Sequence, residues 1–138
     1  MAKITEELLN KIKASADIEC FVNENEGMYL NITPEQYINS LLEEKTLRIA
    51  DVAARSGQGE YVYKVFAGKR RASRDVMIAI SFGMGLSLEE AQMLLRLAAA
   101  GQLDPRNKRD SVIIYGICSG RAVNEINDIL FELGEQTL

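Results

Sequence analysis

Side-chain caps and glycine stops cut this chain into short segments, and within most of them apolar residues recur three and four positions apart. That spacing lays one apolar stripe along each helix, so the chain must bury several short amphipathic helices against one another. In "NITPEQYINSLLEEKTL", Thr33 stands as an N-cap, Pro34 occupies the first helical position, and Gln36 follows three residues after the cap. Tyr37, Ile38, Leu41 and Leu42 then form a core stripe that ends at Glu44. "LRIADVAARSG" puts Ile49, Val52 and Ala53 on one face and stops at Gly57, with the small Ala53 offering a place for close packing. "QGEYVYKVFAG" does the same with Val62, Val65 and Phe66 before Gly68. Ser73 caps "RDVMIAISFGMG", with Asp75 in the first turn where the helix dipole favours an acid. Ser87 and Glu90 make an S-x-x-E box ahead of "LEEAQMLLRLAAAG".

Toward the N-terminus, Ile4, Leu8 and Ile12 predict a helix from Thr5 to Ala14, followed by a loop or linker at "NENEG". In "ADIECFV", Ile18, Phe21 and Val22 share helical spacing and suit either a docking peptide or a cover for the core. "QLDPRNKRD" is a turn-rich connector. "SVIIYGIC" has the Val/Ile content of a strand, but no partner strand is evident and it is assigned to a buried helix. Val123, Ile126, Leu130 and Leu133 align on a last helix ending at Gly134. Met77, Met84 and Met93 are expected to fill the core. The expected fold is all-α, with seven or eight helices.

Composition removes several functions. With no histidine, a histidine general base and histidine-based zinc sites are excluded, and two cysteines cannot supply a four-cysteine zinc site. Glu43-Glu44 and Glu89-Glu90 are adjacent, so each pair diverges around its helix and reads as solvated surface. Neither a catalytic residue, a metal ligand nor a cofactor is assigned, and the chain is not expected to be an enzyme. Cys20 and Cys118 are expected as reduced thiols packed as small hydrophobes. Without a membrane-length apolar run or an apolar signal core, the expected location is the cytoplasm, with no membrane partner.

The net charge of −4 conceals a segregation. Seven acidic residues and no basic one lie between Asp17 and Glu44. Eight basic residues (Lys45, Arg48, Arg55, Lys64, Lys69, Arg70, Arg71 and Arg74) then face only Asp51 and Glu60. A basic segment of this kind suits phosphate binding, which releases condensed counterions; it also suits an ordinary solvated face.

Two short helices meeting at a glycine turn, with one helix before and two after, resemble the lambda-repressor-like helix-turn-helix domain of the XRE family. The matching residues are Ile49, Ala53 and Gly57, then Val62 and Val65. "GKRRASRD" resembles the stretch after the family's recognition helix, and "GLSLEEAQMLL" resembles its fifth helix. "LDPRNKRDSVIIYGI" is similar to a C-terminal extension of some members. One departure stands out: Gly57 to Val62 is one position shorter than the family's spacing, and the aliphatic residue usual after the glycine is missing. The implied organisation is an N-terminal helix and acidic linker at 1–30, a five-helix DNA-binding domain at 31–101, and a helical extension at 102–138.

The resemblance implies a transcriptional regulator that places the helix after Gly57 in the major groove of double-stranded DNA. Gln58, Gly59, Glu60, Tyr63 and Lys64 are then the candidates for base contact. Gln58 suits adenine, Lys64 guanine, and Glu60 the amino group of cytosine. Arg48, Lys69, Arg70, Arg71 and Arg74 are the candidates for phosphate contact. Tyr61 and Tyr63 flank the apolar stripe and suit packing as well as contact. A homodimer reading two half-sites is expected, its interface drawn from the N-terminal or the C-terminal helices. The alternative is a helical adaptor with a degenerate helix-turn-helix, holding a protein partner through residues 17–44.

Overall fold

A computed structural model describes residues 2–24 and 32–138. The side chain of Ile4, and the "NENEG" expectation beyond Glu24, lie outside the described residues. Nine helices and no strand occur among them. They are α1 (Ala2–Ala14), α2 (Ile18–Glu24), α3 (Pro34–Glu44), α4 (Ile49–Ser56), α5 (Tyr61–Phe66), α6 (Arg74–Met84), α7 (Leu88–Leu97), α8 (Lys108–Cys118) and α9 (Val123–Glu132). The chain forms two compact units, 1–31 and 32–138.

In the first unit α1 and α2 pack on each other. The sequence pattern did not delimit α2, although Asp17 signals it: its Oδ1 accepts the Glu19 N–H at 3.0 Å as an N-cap. Phe21 is buried, while Ile18 and Val22 are exposed. The α1 stripe is more open than expected, since Leu8 is half-buried and Leu9 and Ile12 are exposed.

In the second unit the caps act as the sequence indicates. Thr33 and Gln36 exchange hydrogen bonds of 2.9 and 3.2 Å at the start of α3. Ser87 and Glu90 do the same at the start of α7, at 2.9 and 3.2 Å. Ser73 Oγ accepts the Val76 N–H at the start of α6. Each such cap satisfies backbone donors that the helix itself leaves unpaired. The "SVIIYGIC" stretch lies within α8, where Asn107 Oδ1 accepts the Asp110 N–H at 3.0 Å.

α6 is the central helix, packed against α4, α7 and α9. Met77, Ile78, Ala79, Ile80 and Met84 are buried on it. Around it gather Ile38 and Leu41 from α3, Val52 from α4, Val62, Val65 and Phe66 from α5, Leu94 and Leu95 from α7, and Ile113 from α8. Each such aliphatic side chain contributes about 1.5–3 kcal/mol on burial. α4 and α6 approach closely at Gly83, where a Cβ would stand 2.8 Å from Val52 O and 3.1 Å from Ser56 Cβ. Ala53 is buried as expected, but it is this glycine that lets the two backbones meet.

Three further apolar assignments differ from expectation. Leu133 is exposed, because α9 ends at Glu132 and the chain leaves the helical register that buries Val123, Ile126 and Leu130. Cys20 and Cys118 are free thiols at exposed positions, not small core residues. Cys20 Sγ donates to Glu24 Oε1 at 3.3 Å, and that hydrogen bond and the nearby negative charge raise its pKa.

Candidate nucleic-acid interface

The geometry around Gly57 shows how a turn one residue short is closed. α4 ends at Gly57, which has a left-handed φ of 73°. Gly59 is also left-handed, at 60°. Two residues with positive φ so close together reverse the chain sharply, and only glycine adopts that conformation without a side-chain penalty. Ser56, fully buried, pins the turn: its hydroxyl donates to Ala53 O at 3.1 Å and accepts the Gln58 N–H at 3.3 Å.

α5 therefore begins only at Tyr61, and three candidate base-contact residues are off the helix. Gln58 and Gly59 lie in the turn, Gln58 half-buried, and Glu60 is the residue before the first helical turn. Tyr63 and Lys64 are on α5 and exposed. Tyr61 is half-buried, and its hydroxyl donates to Arg71 O at 2.9 Å.

At its other end α5 closes through the Lys69 N–H on Lys64 O at 2.9 Å and the Gly68 N–H on Val65 O at 3.1 Å. That double closure, with Gly68 in the left-handed region, is a Schellman motif. Asn39 of α3 ties the same end down from outside, its amide donating to Phe66 O and Glu35 O, each at 2.8 Å. Sequence patterning gives no role to Asn39, because it sits off the apolar stripe. Residues 68–72 then form one wall of a cleft lined also by Thr33, Pro34 and Glu35 at the start of α3, and by Leu97 to Ala99 at the end of α7.

The basic residues divide into two groups. Lys45 pairs with Glu90 at 3.1 Å, and Arg48, a candidate phosphate contact, pairs with Asp51 at 3.2 Å across an exposed turn. Arg74, expected on phosphate, is committed elsewhere. Its Nη1 and Nη2 donate to the two Asp110 carboxylate oxygens at 3.1 and 2.9 Å, and its Nε and Nη2 donate to Gly101 O and Gln102 O. Four N–H bonds on a half-buried guanidinium leave little to offer a phosphate, and Arg74 is withdrawn from the candidate surface. Arg55, Lys64, Lys69, Arg70 and Arg71 form no ion pair among the described residues, and all five are exposed. Arg55, on the last turn of α4, was not among the expected contacts. Against these five cations only Glu60 of the same stretch carries an unpaired carboxylate.

No cluster of metal-ligating side chains occurs among the described residues, and no described helix is long and apolar enough to cross a membrane. Comparison with protein-family models, curated proteins and solved structures finds no match for the chain.

Proposed function

We propose that residues 31–101 form a lambda-repressor-like helix-turn-helix domain, with 102–138 as its helical extension, and that the protein is a sequence-specific DNA-binding regulator acting as a homodimer. The observation carrying this reading is the exposed, unpaired run Lys69-Arg70-Arg71 directly after α5. Charges in that position meet phosphates and fix register, while Tyr63 and Lys64 on α5, with Glu60 and Gln58 in the turn before it, face base edges. Lys64 suits guanine. Gln58 is the weaker partner for adenine, because it is half-buried.

Titration with random duplex DNA at two salt concentrations tests the reading. Affinity falls steeply as salt rises when several phosphates are neutralised, and absence of binding at low salt overturns it. The second reading, an adaptor binding a protein through 17–44, draws on α2, where Ile18 and Val22 are exposed beside acidic residues. It is the reading that remains if duplex DNA does not bind.

A further inference from the structure

After α5 the chain passes through the same structural events twice, 35 positions apart. α6 and α8 have 11 residues each, and α7 and α9 have 10. The first helix of each hairpin carries an Arg-Asp pair in its first turn, at 74–75 and 109–110, and is followed by a left-handed glycine, Gly85 or Gly120. The next residue folds back in the same way: the Leu86 N–H donates to Ser81 O at 3.0 Å, and the Arg121 N–H to Gly116 O at 2.9 Å. Glu90 and Glu125 then accept the backbone N–H of Ser87 and of Ala122.

The side chains that close each hairpin correspond as well. Gln92 Nε2 donates to Leu103 O at 2.9 Å, and its Oε1 accepts the Leu103 N–H at 2.7 Å. Asn127 holds Leu138 by the same two groups, at 3.4 and 2.7 Å. Arg74 donates to the two carbonyls before Leu103, and Arg109 to the two before Leu138. Amphipathic periodicity does not produce this. It aligns apolar faces, but it does not twice set an amide 11 positions before a leucine and an arginine 27 positions before a carbonyl.

The two hairpins also meet as equals. Arg74 pairs with Asp110 and Arg109 with Asp75, the reciprocal contact that a two-fold relation generates. α7 packs on α8 as α6 packs on α9. A cavity of about 100 Å³ is lined by Ser81, Phe82, Gly85 and Leu86 and by the four residues 35 positions after them.

We propose that residues 104–138 are a structural copy of residues 69–103, and that α6–α7 carries a self-recognition surface whose partner is a hairpin of its own kind. That partner is supplied within the chain, where a symmetric dimer takes it from a second copy. The homodimer of the proposed function is then built on another surface, and the inference does not require that the chain bind DNA.

Full-length variants test it. In one, the sequence of 85–103 replaces that of 120–138, with Gly116→Ser filling the room left where Ile126, which Gly116 faces, is shortened. Cooperative thermal unfolding and slow hydrogen exchange of the N–H at position 138 are expected to persist. The sequence of 84–102 at the same place, one residue out of register, removes the amide at 127 and the leucine at 138 and is expected to lose both. Separately, Arg74→Asp/Asp75→Arg and Arg109→Asp/Asp110→Arg each set like charges across the pair and are expected to lower Tm. Combined in one chain they restore opposite charges, and Tm is expected to rise above that of either. An in-register graft no better than the shifted one, or a combined variant no more stable than its parents, overturns the proposal. A wild type that ignores duplex DNA while these outcomes hold overturns the DNA reading alone.

Discussion

Asp110, at the start of α8, grips Arg74, at the start of α6, with both carboxylate oxygens, and the neighbouring pair is crossed: Arg109 grips Asp75 at 2.9 and 3.1 Å. Asp110 is nearly fully buried and also accepts the Asp104 N–H at 3.0 Å. Removing one member strands the other charge, which for a buried pair costs about 3–5 kcal/mol. Arg74 is partly exposed, so Asp110→Ala is expected near the lower end, about 3 kcal/mol by urea unfolding. Replacing both with apolar residues, as in Arg74→Met/Asp110→Leu, is expected to cost less than that single change.

Gly83→Ala drives a methyl group onto Val52 O and Ser56, both on α4. Backbone cannot rotate away as a side chain does, so a loss of about 1–3 kcal/mol is expected. Thermal unfolding checks it, with a lower Tm as the outcome.

Gly59 has a left-handed φ, and beyond its two chain neighbours no atom lies within 4 Å of a would-be Cβ. The cost of Gly59→Ala is therefore conformational alone, about 1–2 kcal/mol. Gly59→Asn is expected to recover part of it, since asparagine tolerates this region. Denaturant midpoints of the two variants give the comparison.

Arg70→Ala/Arg71→Ala is expected to leave stability unchanged, because neither side chain forms an ion pair among the described residues. Its affinity for all duplex sequences is expected to drop, with the log–log salt slope shallower by roughly one for each cation removed. Arg74→Ala is expected to do the reverse, lowering stability with no phosphate contact of its own to lose. Paired salt titrations and unfolding curves separate the two.

Burial pushes the Glu90 pKa up, but the Ser87 N–H and Lys45 outweigh it and hold the carboxyl below its ordinary 4.5. A lowered folded-state pKa contributes stability above the unfolded value, and that contribution is lost as pH falls through the folded one. Glu90→Gln is therefore expected to be less stable than wild type at pH 7, by roughly 0.5 kcal/mol for a partly exposed pair. The gap is expected to close in unfolding measurements as pH falls below the ordinary 4.5 and through the folded-state pKa.

Most of the helical layout is legible in the sequence because its signals are local. Thr33 with Gln36, Ser87 with Glu90, and Gly57 each announce a helix end within a few residues. The candidate site is less legible, because its geometry depends on partners far along the chain. Arg74 looks like one more cation in "KRRASRD" until Asp110, 36 positions away, claims it. The one available signal was the repeated Arg-Asp dipeptide, at 74–75 and 109–110, each opening a helix. Gln58 and Gly59 were placed on a helix because apolar spacing fixes which face Val62 and Val65 occupy but not where the first turn begins. Leu133 shows the same limit at a helix end: periodicity continues in the sequence after the helix has stopped.

Asn39 gives the basic loop a property of its own. With its amide holding Phe66 O, Tyr61 holding Arg71 O, and the Lys69 N–H folded back on Lys64 O, the backbone from 66 to 71 is anchored at three points. The entropy of ordering this loop is thus spent during folding, not on encounter. A polyanion meeting Lys69, Arg70 and Arg71 has only their side chains left to immobilise, and its binding is expected to be fast and rigid-body in character.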